Sequence, residues 1–223
     1  MLFKIGIINC YADEPKSAPS AQLFVDNIPI ATIINHCHGE KINEISKYDG
    51  YIISGSRSSH QDVDNWIKDL REIVKQIYNK DIPCLAVCFG HQIVAEIFGG
   101  NTVINLGGEE GFQNVPTKTG NDTIGLFKGL PNSVKVYQSH NDAVMKAPPG
   151  SDKIIYNEKC VQYYQYGSIL SIQSHPEIGV IAAKRFAKRD NKDEQSVLNG
   201  INEQNIQSHK ILENFSNIVK QHI

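Results

Sequence analysis

The chain has 223 residues, 24.9 kDa, 40% hydrophobic and 21% charged, which is enough to bury one sizeable core. A formal charge of −2 supplies neither a basic field for nucleic acid nor a polybasic patch for a membrane surface. No apolar run reaches the length of a membrane span, and the five cysteines form an odd, scattered set without a disulfide framework. Reduced thiols and a cytoplasmic setting are therefore expected.

The elements read in chain order. MLFKIGIINCY opens with one lysine and a short apolar run lacking a small-residue cleavage site, so Phe3–Asn9 reads as a first strand and not as a signal peptide. Pro29–Asn35, Gly50–Ser54 and Ile82–Val87 read as further buried strands. Before the last of these, Trp66, Ile67, Leu70, Ile73, Val74, Ile77 and Tyr78 recur at three- and four-residue spacing, one apolar helix stripe. Asp62 and Asp64 stand near its start, where carboxylates favour the helix dipole. Strands alternating with helices predict an α/β fold, a mostly parallel central sheet with helices on both faces.

From about Thr102 to Gln173 the segments are short and rich in β-branched and aromatic residues. They are broken by Gly107-Gly108, Gly120-Asn121, Pro131-Asn132 and Pro148-Pro149-Gly150. This predicts an antiparallel β extension added to the sheet. From about residue 190 the chain turns polar, with Leu212, Phe215, Ile218 and Val219 at helical spacing, a helical extension on the surface. With no repeat or low-complexity linker, residues 1–223 read as one domain.

The most informative stretch runs from Ile82 to Gly100. An apolar strand leads into Cys88, Gly90 follows two residues on, and Ile93, Val94 and Ile97 begin a helical pattern. Strand, sharp turn and helix form a nucleophile elbow, with the thiol at a helix N-terminus that favours a thiolate and the Phe89 amide directed at an oxyanion. A free cysteine is more commonly a small buried hydrophobe, which is the reading for Cys84 within the strand. Farther along, Ser168–Gln173 delivers Ser174-His175-Pro176-Glu177, with a helical pattern from Ile178. His175 could serve as base for the thiol and acid for departing ammonia, with Glu177 fixing its tautomer. His36, His38, His60, His209 and His222 read as surface or hydrogen-bonded core residues. His36-Cys37-His38 falls at a strand end, where alternate residues face opposite ways, and no second ligand cluster has zinc spacing; neither metal nor cofactor is expected.

Cys-Phe-Gly-His-Gln (88–92) together with Ser-His-Pro-Glu (174–177) resembles class I, triad-type glutamine amidotransferases, over most of Lys4 to Arg185. Ile52–Ser56 fits that family's strand-to-loop oxyanion segment, Glu109–Phe112 its acidic-x-Gly-aromatic stretch, and Ser139–Asp142 its Ser-His-x-Asp segment. The resemblance implies Cys88 as nucleophile, His175 as base and acid, and Glu177 as orienting carboxylate. It implies an oxyanion hole from the amides of Phe89 and of Gly55 or Ser56. It also places Gln92, Glu109, Gly111, Phe112, Ser139 and His140 near the substrate. Ala86, Ser56-Arg57 and Ala143 depart from the family's usual residues at the elbow and pocket edges.

The pattern looks most like the amidotransferase part of GMP synthetase and like stand-alone γ-glutamyl peptidases. No phosphate loop or nucleotide signature follows Glu177, so the chain is not expected to activate an acceptor by adenylation. Two readings share the chemistry: a self-sufficient hydrolase of glutamine or a γ-glutamyl compound, and a subunit passing ammonia to a separate synthetase partner. A non-catalytic binding protein on the same fold is a third, against which the intact cysteine, histidine and glutamate speak.

Overall fold

The computed structural model describes residues 3–119 and 122–223. In chain order, β1 (Ile5–Ile8) is followed by α1 (Pro19–Asn27), β2 (Ala31–Ile34), β3 (Gly50–Ile53), α2 (Asn65–Asn79), β4 (Cys84–Val87) and α3 (Phe89–Ile97). Then come β5 (Asn101–Val103), β6 (Glu109–Pro116), β7 (Lys118–Thr119), β8 (Asp122–Thr123), β9 (Ser133–His140), β10 (Ala143–Lys146), β11 (Asp152–Tyr156), β12 (Val161–Tyr166) and β13 (Ile169–Ile172). Three helices close the chain: α4 (Val180–Arg189), α5 (Glu194–Leu198) and α6 (His209–His222).

The central sheet runs in the order β11-β12-β13-β4-β3-β1-β2. Pairing is parallel from β2 through β1, β3 and β4 to β13, and antiparallel from β13 to β12 and β11. The apolar runs are continuous because both faces of the sheet are covered. Ile5, Ile7, Ile52, Leu85 and Val87 pack on one side with Phe24 of α1 and with Leu212, Phe215 and Val219 of α6. Ile8, Ile53, Cys84 and Ala86 pack on the other with the stripe of α2 and with Ile93 and Val94 of α3. The helical extension thus belongs to the core, since Leu212, Phe215 and Val219 are fully buried. Each such side chain contributes about 1.5–3 kcal/mol by leaving water.

The β extension differs from its sequence reading. Of the strands in this stretch, β13 joins the central sheet in parallel and β12 and β11 lengthen it antiparallel, while β5 with β10, β6 with β9, and β7 with β8 form separate two-stranded ladders. Alternating residues predict a strand but do not say which edge it joins. A third cluster, Phe112, Tyr137, Ile178, Ala182, Ala183, Ala187 and Val197, seats the β6–β9 ribbon against α4 and α5. Gly120-Asn121 lies outside the described residues. The segment His36–His38 is a 3-10 turn closed by Gly39 at φ 92°, where the sequence had suggested a strand end.

Parallel strands place their carboxyl ends along one edge. Four of them deliver the segments beginning at Asn9, Ser54, Cys88 and Gln173 to that edge, where ligands bind in open α/β sheets.

Candidate active site

Cys88 follows β4 directly and begins α3 with φ 51° and ψ −101°, a region a β-carbon disfavours. Such a conformation costs about 1–3 kcal/mol and persists only where the surroundings dictate it. Here its amide donates to the Ile172 carbonyl of β13 at 2.9 Å, and its carbonyl accepts from the Gln92 amide at 3.0 Å. Gly90 lets α3 sit down on β3, since a β-carbon there would lie 2.8 Å from the Ile53 carbonyl oxygen. The thiol, 5% exposed, points to the Ser139 carbonyl at 3.8 Å.

β13 ends at Ile172 and the chain returns across the sheet edge, where the His175 amide donates to the Tyr137 carbonyl at 2.7 Å. That bond presents the imidazole to Cys88. His175 Nδ1 lies 2.7 Å from Glu177 Oε1, and Cys88 lies near enough for its charge to act on the imidazole. Burial pulls the His175 pKa down, but the charges of Glu177 and Cys88 and their hydrogen bonds outweigh it and raise the pKa well above the ordinary histidine range. A carboxylate accepts only, so Nδ1 carries a hydrogen. The predicted helix start at Ile178 shifts to Val180, because Pro176 to Gly179 form the connection that carries Glu177 back to the ring.

Gly55 and Ser56 leave β3 beside this pair. A β-carbon on Gly55 would lie 2.7 Å from His175 Cε1 and 2.9 Å from the Tyr11 hydroxyl, so Gly55 packs behind the imidazole. Ser56 lines the cavity that contains Cys88, and Phe89 is buried at the first position of α3. The loop beyond is fastened: Arg57 pairs with Asp13 at 3.3 Å and Asp190 at 3.8 Å, the Ser59 hydroxyl donates to Asp142 at 3.0 Å, and Arg71 donates to the His60 carbonyl at 2.7 Å.

A cavity of about 730 Å³ opens over Cys88, and Gln92, Glu109, Ser139 and His140 line it as expected. Gly111 and Phe112 do not. Gly111 faces α5, where a β-carbon would meet the Val197 carbonyl at 2.6 Å, and the Phe112 ring is buried edge-on against Tyr137. Glu109 of β6 meets the cavity opposite His140 of β9, while Phe112 enters the third cluster. Asp142, the last residue of the Ser-His-x-Asp segment, also lines the cavity, and its carbonyl accepts from Gln92 Nε2 at 2.8 Å and His140 Nδ1 at 3.0 Å. Sequence reasoning missed Arg189, Asp190 and Lys192 at the end of α4, which bring both signs of charge to the wall. Their distance along the chain from every motif left no signal.

The remaining histidines divide. His91 is fully buried between the Ser171 hydroxyl at 2.8 Å and the Val161 carbonyl at 3.2 Å, and burial pushes its pKa down to about 3. It is a neutral strut under the elbow. His36 donates through Nε2 to the Trp66 carbonyl at 2.8 Å. His60, buried beside Asp142, has its pKa lowered chiefly by burial.

Comparisons with known proteins agree with this architecture. The family description "Glutamine amidotransferase class-I" matches residues 22–186. The chain belongs to the class I glutamine amidotransferase family. A relative from Methanosphaera stadtmanae, named as one of the subunits of a glutamine-hydrolyzing GMP synthase, is 33% identical over 155 residues, 68% of this chain and 77% of that protein. Gamma-glutamyl peptidase 5 from Arabidopsis thaliana is 32% identical over 139 residues, and the match spans 60% of this chain but only 55% of the plant protein. A glutamine amidotransferase crystal structure from Thermotoga maritima superposes with a TM-score of 0.80 at 20% identity, covering 97% of each chain. One from Methylobacillus flagellatus gives 0.81 at 16% identity, covering 100% and 96%.

Proposed function

We propose that the chain is a single amidotransferase-type domain that hydrolyses the γ-amide of glutamine or a γ-glutamyl compound through Cys88, His175 and Glu177. The observation that carries this reading is the His175–Glu177 pair at 2.7 Å set beside Cys88 on a strained strand-to-helix turn. Cys88 Sγ attacks the γ-carbonyl carbon as His175 holds the thiol proton. The amides of Phe89 and of Gly55 or Ser56 receive the developing oxyanion. As the carbon–nitrogen bond breaks, His175 returns the proton to nitrogen and ammonia or an amine leaves a γ-glutamyl thioester. His175 then deprotonates water, which displaces sulfur and releases the γ-carboxylate.

The cavity suits the head of an amino acid. Arg57, Arg189 and Lys192 offer partners for an α-carboxylate, and Glu109, Glu110, Asp142 and Asp190 for an α-ammonium. Because this cavity is formed in the isolated chain, we favour activity without a partner. The reading as part of a larger synthetase is favoured by the relative whose name makes it one component of a glutamine-hydrolyzing GMP synthase. Steady-state rates on glutamine and on γ-glutamyl dipeptides, with and without a synthetase, decide between them. Turnover confined to glutamine plus synthetase defeats the stand-alone reading, and absence of turnover on every substrate defeats both.

A further inference from the structure

Beside the nucleophile lies a second cluster that takes no part in the proton transfers, although its Glu109 and His140 also face the substrate cavity. Glu109 on β6, His140 on β9 and Cys160 ahead of β12 converge from three segments, each offering one ligand atom, all within 4.8 Å of one another. His140 Nε2 is 3.3 Å from Glu109 Oε2, and Cys160 Sγ is 3.9 Å from the same oxygen.

The tautomer of His140 is fixed by its other nitrogen. Nδ1 lies 3.0 Å from the Asp142 carbonyl, which can only accept, so Nδ1 carries the hydrogen. That leaves Nε2 facing the Glu109 carboxylate at 3.3 Å. Nε2 has no hydrogen-bond partner, although the side chain is only 2% exposed. A cation set between the ring nitrogen and the carboxylate would be held by both.

We infer that Glu109, His140 and Cys160 form a zinc-binding site on the wall of the Cys88 cavity. Two light ligands at about 2.0 Å from a tetrahedral zinc stand roughly 3.3 Å apart, the separation of Nε2 and Oε2, and an oxygen and a sulfur stand about 3.5 Å apart. The Sγ–Oε2 separation of 3.9 Å therefore has to shorten by about 0.4 Å, and the ligand atoms, all within 4.8 Å, draw together around the metal. The donors are pre-oriented. Asn157 Nδ2 donates to both Glu109 oxygens at 2.9 and 3.1 Å, and Gln162 Nε2 donates to Oε2 at 2.9 Å and to Sγ at 3.2 Å. Outer partners of this kind hold ligands in place for a metal. Imidazole and thiolate select zinc over magnesium or calcium. Binding releases the Cys160 thiol proton to solvent, and three protein ligands leave the fourth position for water or a cavity ligand. This site does not depend on the hydrolytic reading.

The test uses Cys88→Ser protein, which removes the competing thiol of the cavity. Zinc titrated into it is expected to bind at one equivalent per chain, with no comparable binding of magnesium. Cobalt(II) in its place should show tetrahedral visible bands and a near-ultraviolet thiolate charge-transfer band. Cys160→Ser in that background should abolish the thiolate band, and His140→Gln should weaken zinc binding by at least about 100-fold, beyond what outer partners alone supply. A Cys88→Ser protein with no cobalt–thiolate band overturns the inference, whatever the other variants do. So does a band that survives Cys160→Ser with unchanged affinity, which would assign it to Cys10, Cys37 or Cys84.

Discussion

Gly55 stands so close to His175 that a β-carbon on it would lie 2.7 Å from the imidazole Cε1, with the Tyr11 hydroxyl 2.9 Å away on the other side. The absence of a side chain at residue 55 therefore sets where the imidazole rests. Gly55→Ala should displace the ring or the tyrosine, and a displacement near 1 Å costs about 100-fold in rate. The stability loss should be no more than the roughly 1–3 kcal/mol of an overpacked contact. Turnover and urea denaturation on one preparation test this; unchanged turnover would show that the loop is free to yield.

Cys88 should be the sole nucleophile. Cys10, Cys84 and Cys160 are buried away from the cavity and the half-buried Cys37 does not line it, while Cys88 does. A γ-glutamyl analogue with an electrophilic γ-carbon should label Cys88 alone by peptide mass spectrometry. Cys88→Ser should remain folded and lose on the order of 10⁶-fold in turnover, the scale of a disrupted triad. Labelling elsewhere with activity retained would refute the assignment.

The proton on His175 should respond to Glu177. The folded-state pKa of His175 is raised, because the charges of Glu177 and Cys88 overcome burial. Its contribution to stability is therefore complete below the unfolded value of about 6.5 and fades as pH rises through the folded value. Glu177→Gln removes the largest raising influence and leaves burial in place. The imidazole midpoint, followed by NMR, should move down, and the fading of stability should begin at lower pH. Turnover should fall less than in His175→Ala, which loses both proton transfers. A midpoint indifferent to the substitution would remove Glu177 from its orienting role.

Leu70 is fully buried in the stripe of α2 and touches no part of the cavity. Leu70→Ala should cost about 2–5 kcal/mol by lost burial and an unfilled void. Turnover of the folded fraction should be unchanged. Denaturant midpoints and active-site titration separate the two effects.

The elements that build the central sheet were legible because burial on both faces writes them as unbroken apolar runs. The runs around Ile7, Ile33, Ile52 and Leu85 fall within β1 to β4, and the stripe from Trp66 to Tyr78 falls within α2. What periodicity could not carry was partnership. Val134 and Val136 alternate as a strand should, yet nothing in that alternation says that β9 pairs with β6 in a ladder of its own. The strained backbone of Cys88 was implied by Gly90 two residues on, whereas the inward turn of Phe112 was not implied by its motif. Arg189 and Lys192 reach the cavity, and Cys160 reaches Glu109 and His140, only through tertiary packing.

The parallel strands have a further consequence for handling the protein. The Lys4 carbonyl accepts from Asp49 and Gly50 at the amino ends of β1 and β3, and Val219 of α6 packs where a β-carbon of Gly50 would be. Both ends of the described chain therefore sit at the margin opposite the mouth over Cys88, separated from it by a strand length of about 13 Å. A tether attached beyond Lys4 or beyond Val219 would hold the molecule to a support with that mouth facing solution.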